Sequence, residues 1–396
     1  NDRMEACLNS DLTNNESHDK RRFADGNKAR EEKRRKWEAK QARKLATNEI
    51  ESTRLVWIQQ HARFATWVTE QDADQVQQRK RGDVESYEME SLLVPYLDIQ
   101  DSNFAGNLGG NQNERLFVAE GTETIRLLIQ QSTQTRGNGL KPIALKSIFV
   151  KPSILFENPV NLLRDVEDAM TQRSQSADND GSHPGFHVLV GSEATLSRVA
   201  GFQISRGALA CGVIPDDCDE AWLQNLISDR MKESAGKKPK IRLLALDGIC
   251  DTANLGTMIR CASAFGIDAV VLSKDTCEAW YRKSIRTSMG HIFRVPVVRV
   301  DNLGNVLQGW KGSHPELHSF AAVIDTDLLL HNLQHGQVSP SWCCVLGNEG
   351  NGISPAVADA CTQRIRIDME VGVDSLSVPI ACGIILHGLR ERECVT

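Results

Sequence analysis

The sequence predicts an α/β protein of two globular domains, the second built on a parallel sheet that helices cover on both faces. Short apolar runs rich in β-branched residues alternate with helical patterns from about residue 115 to the C-terminus, as they do in chains of βαβ units. Many of these runs are apolar throughout, which is typical of strands whose sheet is buried on both faces. With 396 residues, 40% of them hydrophobic, the chain is long enough for two cores.

Residues 1–105 are predicted to form an N-terminal extension that is basic and partly helical. Residues 20–44 hold twelve Lys and Arg against four Asp and Glu, a local charge of +8 in a chain whose net charge is −6. Because the remainder carries −14, an anionic partner must be bound locally, and we expect this arm to supply sequence-independent affinity for a polyanion. The alternative is a solvated charged helix without a partner.

Residues 106–222 are predicted to form a small three-layer α/β sandwich, because four strand-like runs alternate with three helical patterns. In chain order these read LFVAEG, TETIRLLIQQ, LKSIFVKP, VNLLRDVEDAM, FHVLVGS, EATLSRVA and ALACGVIP. Residues 223–239 follow as a linker, with a helical first part and the basic end GKKPK.

Residues 240–396 are predicted to form the parallel-sheet domain. Its strand-like runs are IRLLALD, DAVVLS, FRVPVVRV, SFAAVID, WCCVLGNE and RIRIDM. Helices are predicted over 254–265, near 279–288, near 303–311, after Pro355 and from about Ser377 onward.

The cysteine pattern predicts an intracellular protein of the cytoplasm or an organelle. The eleven cysteines are scattered, odd in number and mostly within apolar runs, as reduced thiols are. No CxxC or HxxxH pair offers zinc spacing, so we expect no metal. The longest nearly apolar stretch, 376–389, is too short for a bilayer, and we expect no membrane association. Because the chain begins at Asn1, its lack of a targeting segment decides nothing.

The first of three spaced motifs, DTANLGTMIRCASAFG, occupies 251–266. Its apolar residues fall on one side of a helix, and Gly256 and Arg260, four apart, fall on the opposite side. Gly256 leaves room for close backbone approach, and Arg260 projects a guanidinium over that space. Asn254 at the helix start can cap the helix or reach a ligand. The alternative is a capped amphipathic helix with a solvent-facing arginine.

The second and third motifs lie nearer the C-terminus. LGNEGNG at 346–352 follows an apolar strand and offers backbone N–H groups to a polar ligand, with Glu349 at its tip. It is neither a Walker loop nor GxGxxG, and the alternative is a plain tight turn. The third motif joins RIRIDM to the loop EVGVDSLS and a helix rich in Ala, Gly and Cys. Its small residues allow close packing, which by itself needs no function.

The three motifs together resemble motifs 1, 2 and 3 of the SpoU (TrmH-like) RNA ribose 2′-O-methyltransferases of the SPOUT superfamily. The resemblance rests on the N-x-G-x-x-x-R of 254–260, the LGNEGxG of 346–352 and the I-x-M followed by DSLS-V at 367–378. It covers about 240–396. The unit at 106–222 is similar in layout to the L30e-like substrate-binding domain that many of these enzymes carry.

This resemblance implies a C-terminal trefoil-knotted parallel-sheet domain, an exception to the rule against threaded backbones. It also implies S-adenosyl-L-methionine bound in the knot and a homodimer whose active site draws on both subunits. The implied cofactor contacts are Leu346, Gly347, Asn348, Gly350, Gly352, Ile367, Met369, Ser375 and Leu376. The implied catalytic residues are Asn254, Arg260, Glu349, Ser375 and Ser377.

One position departs from the family pattern, which usually reads SLN where this chain reads SLS with Ser377. Serine keeps a hydroxyl but lacks the reach and the donor set of the amide. The serine is therefore expected to have one of three effects: slower turnover, rearranged substrate contacts or loss of activity. For Arg260 the easier role is a fixed cation that stabilises a developing alkoxide, because a guanidinium gives up its proton reluctantly, and its part in proton transfer stays open.

The sequence therefore predicts S-adenosylmethionine-dependent methyl transfer to a ribose 2′-hydroxyl of structured RNA, with ribosomal RNA favoured over transfer RNA. One alternative is a catalytically weak RNA-binding or ribosome-assembly protein on the same fold, motivated by Ser377. Another is a transfer RNA 2′-O-methyltransferase. A nucleotide-dependent oxidoreductase is disfavoured because an early GxGxxG and a ribose-binding acid are missing.

Overall fold

The computed structural model describes residues 56–61, 64–78, 92–97, 99, 114–157, 162–174, 185–204, 207–232, 240–373 and 375–393. The chain forms two compact units, Asn1–Ala62 and Arg63–Thr396. In the first unit only a short helix over 56–60 is described, so the predicted basic arm at 20–44 lies outside the described residues. No helix in the described ranges is long and apolar enough to cross a membrane.

The first sheet of the second unit has five strands in the order β1-β4-β3-β5-β2. They are β1 Ala65–Val68, β2 Leu116–Glu120, β3 Leu145–Val150, β4 His187–Gly191 and β5 Ala208–Val213. Strand β4 pairs in parallel with β1 and β3, whereas β5 pairs antiparallel with β2 and β3.

Helices cover both faces of this sheet. They are α1 Glu70–Gln78, α2 Thr122–Thr133, α3 Pro152–Phe156, α4 Leu163–Ser174 and α5 Glu193–Ala200, with 3-10 turns at Val94–Tyr96 and Gly137–Gly139. On one face Phe149 and Leu189 pack with residues of α1 and α5. Neighbouring strand residues face opposite sides, and Ile148 and Val150 are also fully buried, so the other face is covered as well. The domain therefore consists of a sheet between two layers of helices.

The predicted boundary at residue 105 is wrong, because chain before it completes this domain. Strand β1 lies at one edge of the sheet, and Ala73, Leu93 and Tyr96 are buried in its core. The hydroxyl of Tyr96 lies 2.8 Å from Ser147 Oγ and donates to the Ser147 carbonyl at 2.9 Å. These contacts span 51 residues, and a pairing so distant in sequence leaves no trace in a local pattern.

The second sheet has six strands, all in parallel pairs, in the order β11-β9-β10-β6-β7-β8. They are β6 Arg242–Asp247, β7 Ala269–Ser273, β8 Val297–Val300, β9 His318–Ala322, β10 Trp342–Gly347 and β11 Gln363–Ile365. Each predicted strand-like run contributes one strand. Every residue of β6 and β10 is buried, as their continuous apolar runs predict.

The helices of this domain include one that the sequence assigns to a linker. They are α6 Glu220–Lys232, α7 Thr252–Phe265, α8 Arg282–Thr287, α9 Leu303–Ser313, α10 Pro355–Ala360 and α11 Val378–Glu391, with 3-10 turns at His291–Phe293 and Leu330–Asn332. The predicted linker 223–239 is wrong over its first part, because Leu223 and Ile227 of α6 are fully buried in the domain core with Ile241. Four residues apart, they share one helix face.

Within the second unit, the first sheet with its helices forms the first domain, and the second sheet with its helices forms the second domain. A buried ion pair and an aromatic cluster join these two domains. Glu120 at the end of β2 is 3% exposed, and its Oε2 accepts a hydrogen bond from Arg282 Nη1 at 2.6 Å. The ring of Phe117 lies 5.2 Å from Trp280 and 5.5 Å from Phe293, centroid to centroid. Since a buried carboxylate requires its partner, these contacts fix the first domain against α8.

Candidate active site

The loop after β10 is shaped by two of its glycines. A Cβ at Gly347 would lie 2.1 Å from the carbonyl carbon of Gly352, so only glycine fits where the loop folds back on the strand end. Gly352 has a φ of +69°, which residues with a Cβ rarely adopt. The backbones of Asn348 and Gly352 exchange hydrogen bonds of 3.0 and 2.9 Å. The predicted glycine-rich turn is therefore a closed loop at the carboxyl end of a central strand.

The side chain of Asn348 holds this loop together. Its Oδ1 accepts hydrogen bonds from the backbone N–H groups of Gly350 at 2.8 Å and Asn351 at 3.2 Å. Its Nδ2 donates to the carbonyl of Gly248 at 2.8 Å and to Cys250 Sγ at 3.2 Å. Asn348 thus ties the loop to the segment that leads from β6 into α7, a role that sequence reasoning missed.

The loop forms one wall of a cleft of about 700 Å³ at the carboxyl ends of β9, β10 and β11. This volume is in the range of small-molecule sites, and the carboxyl edge of a parallel sheet is where they occur. All nine residues predicted to contact the cofactor line it: Leu346, Gly347, Asn348, Gly350, Gly352, Ile367, Met369, Ser375 and Leu376. The structure therefore brings the second motif, at 346–352, and the third, at 367–378, to one site.

The lining fits a ligand with both apolar and polar parts. Apolar side chains come from Leu346, Met369, Leu376 and Ile385, whereas Glu349 is an exposed carboxylate at the rim. Apolar walls suit a flat base or an aliphatic chain, and loop N–H groups suit polar groups such as hydroxyls and carboxylates.

Residues at the end of β9 and just after it also line the cleft, and sequence reasoning missed them. They are Ala322, Val323, Ile324 and Asp325, joined by Arg364 and Arg366 of the facing segment. Arg364 is paired with Asp359 at 2.8 Å and Asp325 at 3.9 Å. The signal was the run SFAAVID, whose acid, Asp325, comes three residues after the end of a buried parallel strand.

Helix α7 begins two residues earlier than predicted. Asp251 is its N-cap, accepting hydrogen bonds from the N–H groups of Ala253 and Asn254. The bond from Ala253 and the nearby Lys283 hold the pKa of Asp251 below its usual range. The expectation that Asn254 starts the helix is therefore wrong. Its side chain instead reaches a neighbour, since Asn254 Nδ2 donates a hydrogen bond to Glu349 Oε1.

The face of α7 opposite its apolar residues carries Gly256 and Arg260. A Cβ at Gly256 would lie 2.1 Å from Thr287 Oγ1 and 2.3 Å from the Ser284 carbonyl oxygen. The close backbone approach expected at this glycine is thus made by α8. Arg260 is exposed and lies outside the lining of the cleft, so the two domains of this chain do not bring it to the loop with Glu349.

The two serines of the third motif differ in position. Ser375 is exposed and lines the cleft. Ser377 is the N-cap residue of α11, but its hydroxyl makes no capping hydrogen bond and it lies outside the lining. Its side chain is therefore exposed at the helix start without a role in holding that helix.

Helix α11 packs along α7 through small side chains. A Cβ at Gly383 would be 3.9 Å from Cys261 Sγ, and Cys382 is fully buried. A hydrogen bond from the Cys382 thiol lowers the pKa of Cys261 to about 7, although partial burial opposes this shift, and Arg260 adds to it. All cysteines in the described ranges are free thiols, and Cys250 is the exposed one.

Comparisons of the sequence with known proteins point to one family. The model of the SpoU rRNA Methylase family matches residues 242–387. The chain is 30% identical over 235 residues to an uncharacterized tRNA/rRNA methyltransferase of Mycolicibacterium paratuberculosis, covering 59% of this chain and 70% of the relative. It is 32% identical over 151 residues to the 23S rRNA (guanosine(2553)-2'-O)-methyltransferase RlmP of Bacillus subtilis, covering 38% of this chain and 58% of that enzyme.

Solved structures resemble the chain over a longer stretch. The AdoMet-bound rRNA methyltransferase of Sinorhizobium meliloti has a TM-score of 0.53 and 17% identity, covering 82% of this chain and 97% of that one. The SpoU methyltransferase AviRb of Streptomyces viridochromogenes, in complex with AdoMet, has a TM-score of 0.52 and 17% identity, covering 75% and 96%. At this identity the likeness concerns the fold, and its extent reaches beyond the second domain.

Proposed function

The chain belongs to the SpoU rRNA methylase family, and on that basis we propose that it transfers the methyl group of S-adenosylmethionine to a ribose 2′-hydroxyl of structured RNA. Ribosomal RNA is the favoured substrate, because the Bacillus subtilis relative is named for 23S rRNA. The observation that supports this function best is the convergence of the second and third motifs on one cleft, with Asn254 of the first motif bonded to Glu349 at its rim.

The nine lining residues named above are proposed to hold the cofactor, which supplies a methyl group already activated on a sulfonium. What the chain must add is the alignment of a ribose hydroxyl for in-line attack and the stabilisation of the charge that develops on its oxygen. Glu349, fixed by Asn254, and the hydroxyl of Ser375 both line the cleft and are proposed to contact the ribose. Arg260 supplies the fixed positive charge, which also grips the neighbouring phosphate.

We infer that the C-terminal chain is knotted and that two copies form a homodimer. Arg260 lies outside the cleft lining of its own chain, so a second copy is the source from which this charge reaches the site. An apolar face of α11 supports this arrangement, since Ile380 and Ile384, four residues apart, are 57% and 41% exposed. Exposed apolar side chains adjacent on one helix face are typical of an interface.

Methyl transfer to RNA from cells that lack the protein tests this function. We expect the purified full chain to incorporate labelled methyl from S-adenosylmethionine as 2′-O-methylribose into ribosomal RNA from deficient cells. Ribosomal RNA from normal cells, already modified, serves as the matched control and should take up little label. Mapping the modified ribose identifies the nucleotide.

Two outcomes contradict the proposal. Label that enters transfer RNA alone would assign the chain to transfer RNA. Cofactor and RNA binding without any transfer would favour the catalytically weak assembly protein that Ser377 motivates.

A further inference from the structure

The turn over 287–294, between α8 and β8, lies outside the cleft but against the helix that carries Arg260. His291 Nδ1 lies 2.7 Å from Ser263 Oγ of α7. Ser263 follows Arg260 by three residues, so the two share a helix face. This contact therefore holds the turn against α7, the helix that carries Arg260.

The same turn lies against the first domain. Gly290 has a φ of +79°, and a Cβ there would be 3.3 Å from the Cα of Thr124 in α2. At the end of the turn, the Arg294 carbonyl oxygen lies 3.7 Å from where a Cβ of Gly137 would be. Arg294 is exposed, so its side chain is presented at the junction of the two domains.

Three basic side chains share one electrostatic neighbourhood in this region. Burial lowers the pKa of His291, and the positive charges of Arg294 and Arg260 lower it further. Both guanidinium groups therefore act on the same half-buried ring, one from the turn and one from α7.

Neither of these arginines is neutralised within the described part of the chain. Other arginines there pair with carboxylates, as Arg282 does with Glu120 and Arg364 with Asp359. Among the described residues, no carboxylate lies within 4.0 Å of Arg260 or Arg294. Two exposed, unpaired cations that both act on His291, in a chain of net charge −6, give this region a local positive charge that attracts anions.

We propose that Arg260, His291 and Arg294 form a continuous surface that binds the RNA backbone and leads it from the active site of the second copy, which Arg260 serves, toward the first domain of its own chain. The proposal rests on the RNA substrate proposed above and adds Arg294 as a phosphate-contacting residue outside the three motifs. RNA fits this surface because guanidinium groups bind phosphate oxygens in bidentate fashion and because the backbone repeats its charge from one nucleotide to the next. Arg260 engages the phosphate nearest the target ribose, and Arg294 engages one farther along the strand.

Substitution of Arg294 tests this surface in the full chain. Arg294→Gln is compared with wild type and with Arg390→Gln, which removes an exposed arginine from the last turn of α11. The probe is a 20-nucleotide single-stranded RNA, whose affinity is measured over a series of salt concentrations. Loss of one phosphate contact flattens the log–log salt slope by about 0.7 on a single strand and weakens binding similarly for different sequences.

We expect Arg294→Gln to show this flatter slope, with the melting temperature and the affinity for S-adenosylmethionine unchanged, and Arg390→Gln to behave as wild type. If the salt slope of Arg294→Gln equals that of the wild type, and the wild type methylates RNA, the proposed surface is overturned and the proposed function stays intact. Equal flattening by both substitutions indicates a diffuse charge effect and also overturns it. The surface is also overturned if polyglutamate displaces the RNA probe as effectively as unlabelled RNA does. A wild type that neither binds nor methylates RNA overturns both proposals.

Discussion

The side-chain amide of Asn254 donates a hydrogen bond to the carboxylate of Glu349, across 95 residues of sequence. Asn254 is in the first turn of α7, and Glu349 is at the tip of the loop that follows β10. The bond therefore joins the first motif to the second. A carboxylate that accepts from a fixed amide has fewer orientations open to it, which is what alignment of a substrate hydroxyl requires.

A double-mutant cycle measures what this bond contributes. Asn254→Ala and Glu349→Ala each remove it, so the double variant should lose little more single-turnover methyl transfer than the more damaging single variant. Coupling between side chains in contact is typically 0.5–3 kcal/mol, and we expect a value in this range. Loss of rate that is additive in the double variant would contradict a shared role.

Arg260→Ala should reduce methyl transfer by about 10²- to 10³-fold, as loss of one preorganised charge contact does. The affinity for S-adenosylmethionine should change little, because Arg260 lies outside the lining of the cleft. Isothermal titration with the cofactor and single-turnover rates separate the two effects. A variant within twofold of the wild-type rate would remove Arg260 from the mechanism.

The sequence predicted the second sheet well because its strands depend on local patterns. The nine cleft residues came instead from the resemblance of the three motifs to a known family, which no local pattern supplies. Continuous apolar runs such as WCCVLG are typical of buried parallel strands, and they became β10 and its neighbours. What it missed depends on contacts between distant segments. The pairing of β1 with β4 and the bonds of Asn348 to Gly248 join parts of the chain about 100 or more residues apart, so no period or composition indicates them.

The contact at Gly347 makes a sharp prediction about the loop. In Gly347→Ala the new methyl group would lie 2.1 Å from the backbone of Gly352, and no side-chain rotation relieves a clash with backbone. We expect a loss of stability on the order of 1–3 kcal/mol and a loss of cofactor affinity.

Gly309→Ala in α9 is the matched control, because a Cβ there meets nothing within 4 Å. It should be neutral or raise stability by up to about 1 kcal/mol. Thermal unfolding with and without cofactor distinguishes the two variants. Wild-type cofactor affinity in Gly347→Ala would mean that the loop is not closed as described.

Ser377→Asn should keep or raise methyl transfer. Asparagine is a favourable N-cap residue and restores the amide that the family pattern has at this position. Since Ser377 is exposed and makes no capping bond, the melting temperature should not fall. Ser377→Ala, measured in parallel, shows whether the hydroxyl itself matters. Loss of activity in a stably folded Ser377→Asn would mean that the site is organised around the hydroxyl.

The pairing of Cys261 with Cys382 predicts a pH dependence that can be measured without substrate. Because the hydrogen bond from Cys382 lowers the pKa of Cys261 to about 7, half of this thiol should be ionised near neutral pH, whereas an ordinary thiol titrates near 8.5. The thiolate is the reactive form, so alkylation of Cys261 by iodoacetamide should rise with pH and reach half its maximal rate near pH 7.

In Cys382→Ala the donor is lost while the partial burial remains, and burial disfavours the charged form. The inflection should therefore move to higher pH. Peptide mass spectrometry separates Cys261 from the exposed Cys250. A wild-type inflection at pH 8.5 or above, or one that does not move in Cys382→Ala, would show that this bond does not form between α7 and α11.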